Sequence, residues 1–232
     1  MRLTNKLPRT LSLVAAILLL LTLVGSFISS AANWINMIRS GVGGTLIVSI
    51  ITFLLGSVGT VLCIVVLFMG KKNSIAGVLL ILGALITVGI RTLAGIASTV
   101  SNIAMRHMLG DMFGALVGNN VINMVGGLVT AGFYVLLAIE CFNPGKFSAS
   151  KAKVILFILP ILLAVLSIIG SIVLQLPNLN AGIAAFAVTA VSALLGQLIS
   201  HVPVLLLGIA FATPVYEQDP YASYSAPPYT NV

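Results

Sequence analysis

Residues 45–69 read TLIVSIITFLLGSVGTVLCIVVLFM, a stretch without one charged side chain. An α-helix rises about 1.5 Å per residue, so roughly 20 apolar residues cross a hydrocarbon core about 30 Å thick. This stretch is long enough with residues to spare. Its polar members are small Ser and Thr side chains, so no face of the helix asks for water. Reading outward from it, the stretches 11–28, 75–96, 121–142, 154–174 and 182–212 follow the same logic. The ten-residue alternating segments that a membrane β-barrel needs are absent. The expected fold class is therefore all-α: a polytopic transmembrane bundle of six spans within residues 1–215.

Composition agrees. Eleven Lys and Arg with four Asp and Glu make 6% of the 232 residues, against about 25% in a soluble domain. Fifteen charges cannot cover the surface of a soluble fold of this size, which excludes an ordinary globular domain, a disordered chain and a disulfide scaffold. Cys63 and Cys141 both fall inside apolar runs and read as small buried hydrophobes. The chain has no Asn-x-Ser/Thr acceptor, so nothing argues for a glycosylated surface, and a bacterial cytoplasmic membrane is the expected location.

The net charge of +7 follows the loops, so nucleic acid is not needed to explain it. Arg2, Lys6 and Arg9, then Lys71 and Lys72, then Lys146, Lys151 and Lys153 fall on one side of a six-span chain; Arg39 and Arg106 fall on the other. The positive-inside rule then places both termini in the cytoplasm. Trp34 suits the opposite interface. Residues 11–28 precede small Ser29, Ser30 and Ala31, as a cleavable signal would, but the run exceeds the 7 to 15 or so residues of a signal core, which favours a retained anchor. Residues 216–232, YEQDPYASYSAPPYTNV, are expected to be a disordered cytoplasmic tail. Its ending Thr230-Asn231-Val232 has the form of a PDZ ligand, a three-residue pattern that arises easily by chance.

Ionisable and amide side chains inside spans are costly, so each is a candidate site. Arg91 lies about 24 Å into the core counted from Ile75, near the boundary away from the termini, where a guanidinium reaches the headgroups by snorkelling. Ala84, Thr87, Arg91, Gly95, Ser98 and Asn102 form one small and polar stripe, suited to an aqueous pathway, to an anion, or to a helix seam. Asn123, Gly127, Thr130, Tyr134 and Cys141 share a face of the fourth span. Ala185, Thr189, Ala193, Gln197 and His201 step by four on the sixth, just before Pro203. The candidate intramembrane polar sites are Arg91, Asn123, Gln197 and His201. Glu140 is expected to pair with Lys146 or another basic residue of the loop after it.

Gly110, Gly114, Gly118 and Gly127 are candidate helix-packing positions, the first three as a short interfacial or re-entrant helix. His107 and Asp111 stand four apart without a nucleophile or third ligand nearby. Gly70-Lys71 and Gly145-Lys146 overlay at an offset of 75, a trace of parallel duplication that apolar hairpins also produce by chance.

No P-loop, HExxH or Gly-x-Ser-x-Gly pattern occurs. The four acids do not suit a carboxylate-driven cation pump. No catalytic, cofactor-binding or metal-binding residue is assigned, and no enzyme is expected. The expected partners are the lipid bilayer and other membrane-protein subunits. The first functional expectation is a membrane-embedded interaction or accessory subunit. The alternative is a small-solute permease or channel that uses the polar stripes of spans three, four and six. The two separate on whether those stripes converge on a cavity or lie in dry helix contacts.

Overall fold

The computed structural model of the protein describes residues 2–4, 7–39, 43–71, 74–110 and 112–217. Its long helices are α1 (Arg9–Arg39), α2 (Gly43–Met69), α3 (Ser74–Ala104), α5 (Met112–Phe142), α6 (Ile155–Gln175) and α7 (Ile183–Ala212), with a single turn, α4 (Arg106–Leu109), between α3 and α5. Six helices are long and apolar enough to cross a bilayer. The protein is a multi-pass integral membrane protein. Large aliphatic side chains such as Leu21, Leu54, Leu85 and Ile158 are exposed on the outside of the bundle. Water would penalise such a surface and lipid does not.

Each long helix packs on the next in the chain, and α1 closes the ring on α7. Strand β1 (Arg2–Thr4) pairs antiparallel with β2 (Val215–Glu217), Leu3 opposite Tyr216. Both ends of the described chain therefore lie at one pole of the bundle, as an even number of spans requires. Tyr216 and Glu217, assigned by composition to the tail, belong to this ladder; the rest of the tail, Gln218 to Val232, lies outside the described residues, as do Lys72 and Asp111.

Helices α1, α3 and α5 run well beyond the predicted spans at the far pole. Residues 29–39 continue α1 without a break through Ser29, Ser30 and Ala31. Likewise α5 begins at Met112, so Gly114 and Gly118 belong to the long helix rather than to a separate re-entrant one. Gly110 ends α4 at φ +50, a backbone that favours glycine.

Packing is uneven along the bundle axis. The most deeply buried side chains, among them Leu80, Phe133, Leu137, Leu156, Leu207 and Phe211, come from helix segments near the terminal pole. That half is tightly packed. At its rim, Gly70 at φ +74 turns the chain so that Lys71 enters the protein, 2% exposed. The Lys71 ammonium donates to the Phe211 carbonyl near the end of α7, and reaches Glu140 Oε1 at 3.5 Å. Glu140, fully buried, also accepts from the backbone N–H of Gly145 (2.9 Å) and Phe147 (2.8 Å) and from the Ser148 hydroxyl.

The expected partner of Glu140 was a base of the following loop, and the structure corrects this. That loop supplies neutral donors, Lys146 stays exposed, and the cation comes from the α2–α3 turn. A carboxylate at 0% exposure is held by a buried ammonium, whereas an exposed lysine would keep its own hydration. Burial pulls the Lys71 ammonium below its ordinary pKa, and the Glu140 carboxylate opposes that pull.

Candidate functional site: a polar cavity between α3, α5, α6 and α7

Toward the far pole the tight core gives way to a partly open cavity of about 610 Å³. All four candidate polar residues meet in it: Arg91 from α3, Asn123 from α5, and Gln197 with His201 from α7. Gly95 and Ser98 of the α3 stripe join them, while Thr87 from the same stripe and Thr130 with Tyr134 from the α5 stripe line a smaller cavity of about 80 Å³, together with Gly59 and Thr60 of α2. Arg91 borders both. Its side chain therefore stands between the two cavities, and the polar stripes read on separate spans contribute to one or the other.

Local packing places the guanidinium. A Cβ at Gly127 would stand 3.1 Å from both Cβ and Cδ of Arg91, and one at Gly126 would stand 3.7 Å from a guanidinium nitrogen. The missing side chain of Gly127 leaves room for the arginine stem on α5, and that of Gly126 for its head. Gly118 faces Val173 of α6, whereas Gly110 and Gly114 have nothing within 4 Å of a would-be Cβ. Of the four glycines, Gly127 and Gly118 thus lie at helix contacts and the other two do not.

The histidine has three polar contacts, one of them the Ser200 hydroxyl oxygen at 3.1 Å from Nδ1. His201 Nδ1 lies 2.8 Å from the Gln197 carbonyl oxygen, which can only accept, so Nδ1 carries a hydrogen. Nε2 lies 3.0 Å from Ser167 Oγ of α6, and in the neutral ring it accepts from that hydroxyl. Gln197 and His201 are both half-buried, with His201 tied to protein groups. On the opposite wall, the Asn120 amide donates to Ser98 Oγ at 3.1 Å and to Thr99 Oγ1 at 3.3 Å, linking α5 to α3.

Four polar lining residues escaped the sequence reading: Asn119, Asn120, Ser167 and Ser171. A signal existed for the serines, which stand four apart on one face of α6. Asn119 and Asn120 fell between predicted spans and looked like loop residues until α5 was seen to begin at Met112. His107 lies in α4 and is exposed, away from this lining. Among the described residues, no cluster of His, Cys, Asp or Glu is suited to a metal ion.

The chemistry of the cavity is that of hydrogen bonding with one fixed positive charge. Amides, hydroxyls, an imidazole and a guanidinium converge, and among the described residues no carboxylate lines it. The chain matches no protein-family model, no curated protein and no solved structure with which it was compared.

Proposed function

We propose that the protein is a small-solute permease or channel whose solute site is the cavity between α3, α5, α6 and α7. The observation that carries this reading is the convergence of Arg91, Asn123, Gln197 and His201 from three helices on one space. A volume of about 610 Å³ falls within the roughly 300–1,000 Å³ of small-molecule sites. Polar side chains in a hydrocarbon layer are costly, and a wet cavity is the setting that offsets the cost for four helices at once. The dense packing at the terminal pole is taken to close the site on that side. With the termini in the cytoplasm of a bacterial cell, the expectation of the basic loops, the cavity faces the exterior.

The membrane-embedded interaction or accessory-subunit reading has one observation of its own. Thr22, Gly25, Ser26, Ser29 and Ser30 of α1 face Gly196, Ile199 and Ser200 of α7 across a cleft of about 760 Å³, where small residues leave room for another helix. Co-purification of a stoichiometric membrane partner in mild detergent, combined with a dry cavity, favours that reading.

The test of the cavity is thiol accessibility in intact cells. Native Cys63 and Cys141 are 1% and 3% exposed and provide a quiet background. Asn123→Cys and Ser171→Cys should react with a membrane-impermeant thiol reagent added from outside, and Val165→Cys, outside the lining, should not. Failure of both cavity positions to react sinks the proposal.

Topology is checked in the same assay. A cysteine at Lys146, exposed at the terminal pole, should be protected, whereas one at Asn33, exposed near the far end of α1, should react. Ser148 is a poor probe because its hydroxyl is buried against Glu140. External labelling at Lys146 would invert the orientation.

A further inference from the structure

Arg91 carries a charge that the described protein does not neutralise. The acids are four, Asp111, Glu140, Glu217 and Asp219. Glu140 is engaged by Lys71 at the terminal pole, and Glu217 sits in β2 at that same pole. Asp111 and Asp219 lie outside the described residues. Among the described residues, no carboxylate lines either cavity that Arg91 borders, and no hydrogen bond or ion pair occupies its guanidinium. Its stem lies against Gly127 and one guanidinium nitrogen lies beside Gly126, while the side chain as a whole stays exposed. A cation whose stem packs on one helix and whose five-donor head has no acceptor among the described residues is arranged to receive an acceptor group.

The sizes of the two cavities say what kind of group. The smaller space, about 80 Å³, holds two or three waters at about 30 Å³ each. It takes one small head group and no more. Thr60 and Thr87 add hydroxyls to its wall, while the Thr130 hydroxyl is turned to the Gly126 carbonyl at 2.7 Å and that of Tyr134 is engaged with Cys63. The larger cavity on the other side of Arg91 offers the amides of Asn119, Asn123 and Gln197 to a polar body.

We propose that Arg91 anchors an anion subsite which takes the carboxylate or phosphate of a small polar molecule, with the remainder of that molecule in the larger cavity. The proposal rests on the reading of the cavity as a solute site and deepens it by naming the charge of the solute. The same chemistry is offered by a soluble anion and by the phosphate of a lipid headgroup, and the experiment separates the two sources.

The full chain is reconstituted in nanodiscs of neutral phosphatidylcholine at constant ionic strength set with choline chloride. Thermal stability is then followed during titration with sodium acetate and with inorganic phosphate. In a parallel arm, phosphatidylglycerol replaces part of the neutral lipid without added anion. Saturable stabilisation by acetate or phosphate assigns the subsite to a soluble anion; stabilisation by phosphatidylglycerol alone assigns it to a headgroup. In either case Arg91→Gln should weaken the apparent affinity by roughly tenfold or more, the scale of a lost charge-assisted hydrogen bond. Arg91→Lys keeps the charge without the planar fork and should fall between, which separates loss of the contact from loss of the fold. Stabilisation that persists in Arg91→Gln, or its absence with all three probes, overturns the proposal. If Asn123→Cys and Ser171→Cys remain reactive while no anion binds, the subsite fails and the cavity stands; if they are unreactive, both fall.

Discussion

Lys71→Ala is expected to destabilise the folded bundle by about 3 to 5 kcal/mol, because it strands the fully buried Glu140 carboxylate without its cation. Three donors remain after the substitution, the N–H groups of Gly145 and Phe147 and the Ser148 hydroxyl, so the lower end of that range is the better estimate. The Phe211 carbonyl also loses its ammonium donor, and with it a positive charge at the C-terminal end of α7. Lys146→Ala, at an exposed neighbouring position, is expected to stay within about 0.5 kcal/mol. Unfolding in mixed micelles with increasing SDS measures both. Equal stabilities for the two variants would show that the Lys71–Glu140 contact does not organise this pole. The contact ties the α2–α3 turn, the α5–α6 loop and the end of α7 together at this pole.

The second large effect concerns a backbone contact. Residue 160 is proline, so the Leu156 carbonyl lacks the amide donor that the helix would otherwise supply four residues on. That free oxygen faces Gly208 of α7, and a Cβ on Gly208 would run into it, with Pro160 Cγ at 3.3 Å beside it. Gly208→Ala should therefore push α7 from α6 and cost about 1 to 3 kcal/mol, with Gly208→Leu worse. Gly132→Ala is the matched control. Nothing lies within 4 Å of a Cβ there, and replacing a mid-helix glycine should stabilise by about 0.5 to 1 kcal/mol. If the two alanine variants melt together, the close approach of α6 and α7 is not what holds them.

These predictions also mark where sequence reading reached its limit. The spans were legible because lipid imposes a one-dimensional rule: about 20 apolar residues in a row, whatever their neighbours. Helix ends were less so. The α1, α3 and α5 helices continue into polar sequence at the far pole, where water satisfies side chains without interrupting the backbone ladder, so hydropathy falls while the helix does not. For that reason Asn119 and Asn120 were missed. The polar stripes were visible as helical faces, since steps of three and four fix a direction around one axis. What they faced was not visible.

The sequence by itself determined the membrane, the helix class, the six spans and the residues too polar for lipid, because each depends on local composition and helical period. Tertiary structure alone decided that α7 closes on α1, that Lys71 rather than Lys146 meets Glu140, and that Arg91, Asn123, Gln197 and His201 share one cavity. The physical reason is that partner choice between apolar helices turns on shape: where a glycine lets a backbone or an arginine stem come close, and which carbonyl a proline leaves free. Such contacts join residues far apart in the chain, as Lys71 joins Glu140 and Leu156 joins Gly208, and no periodicity within one helix encodes them.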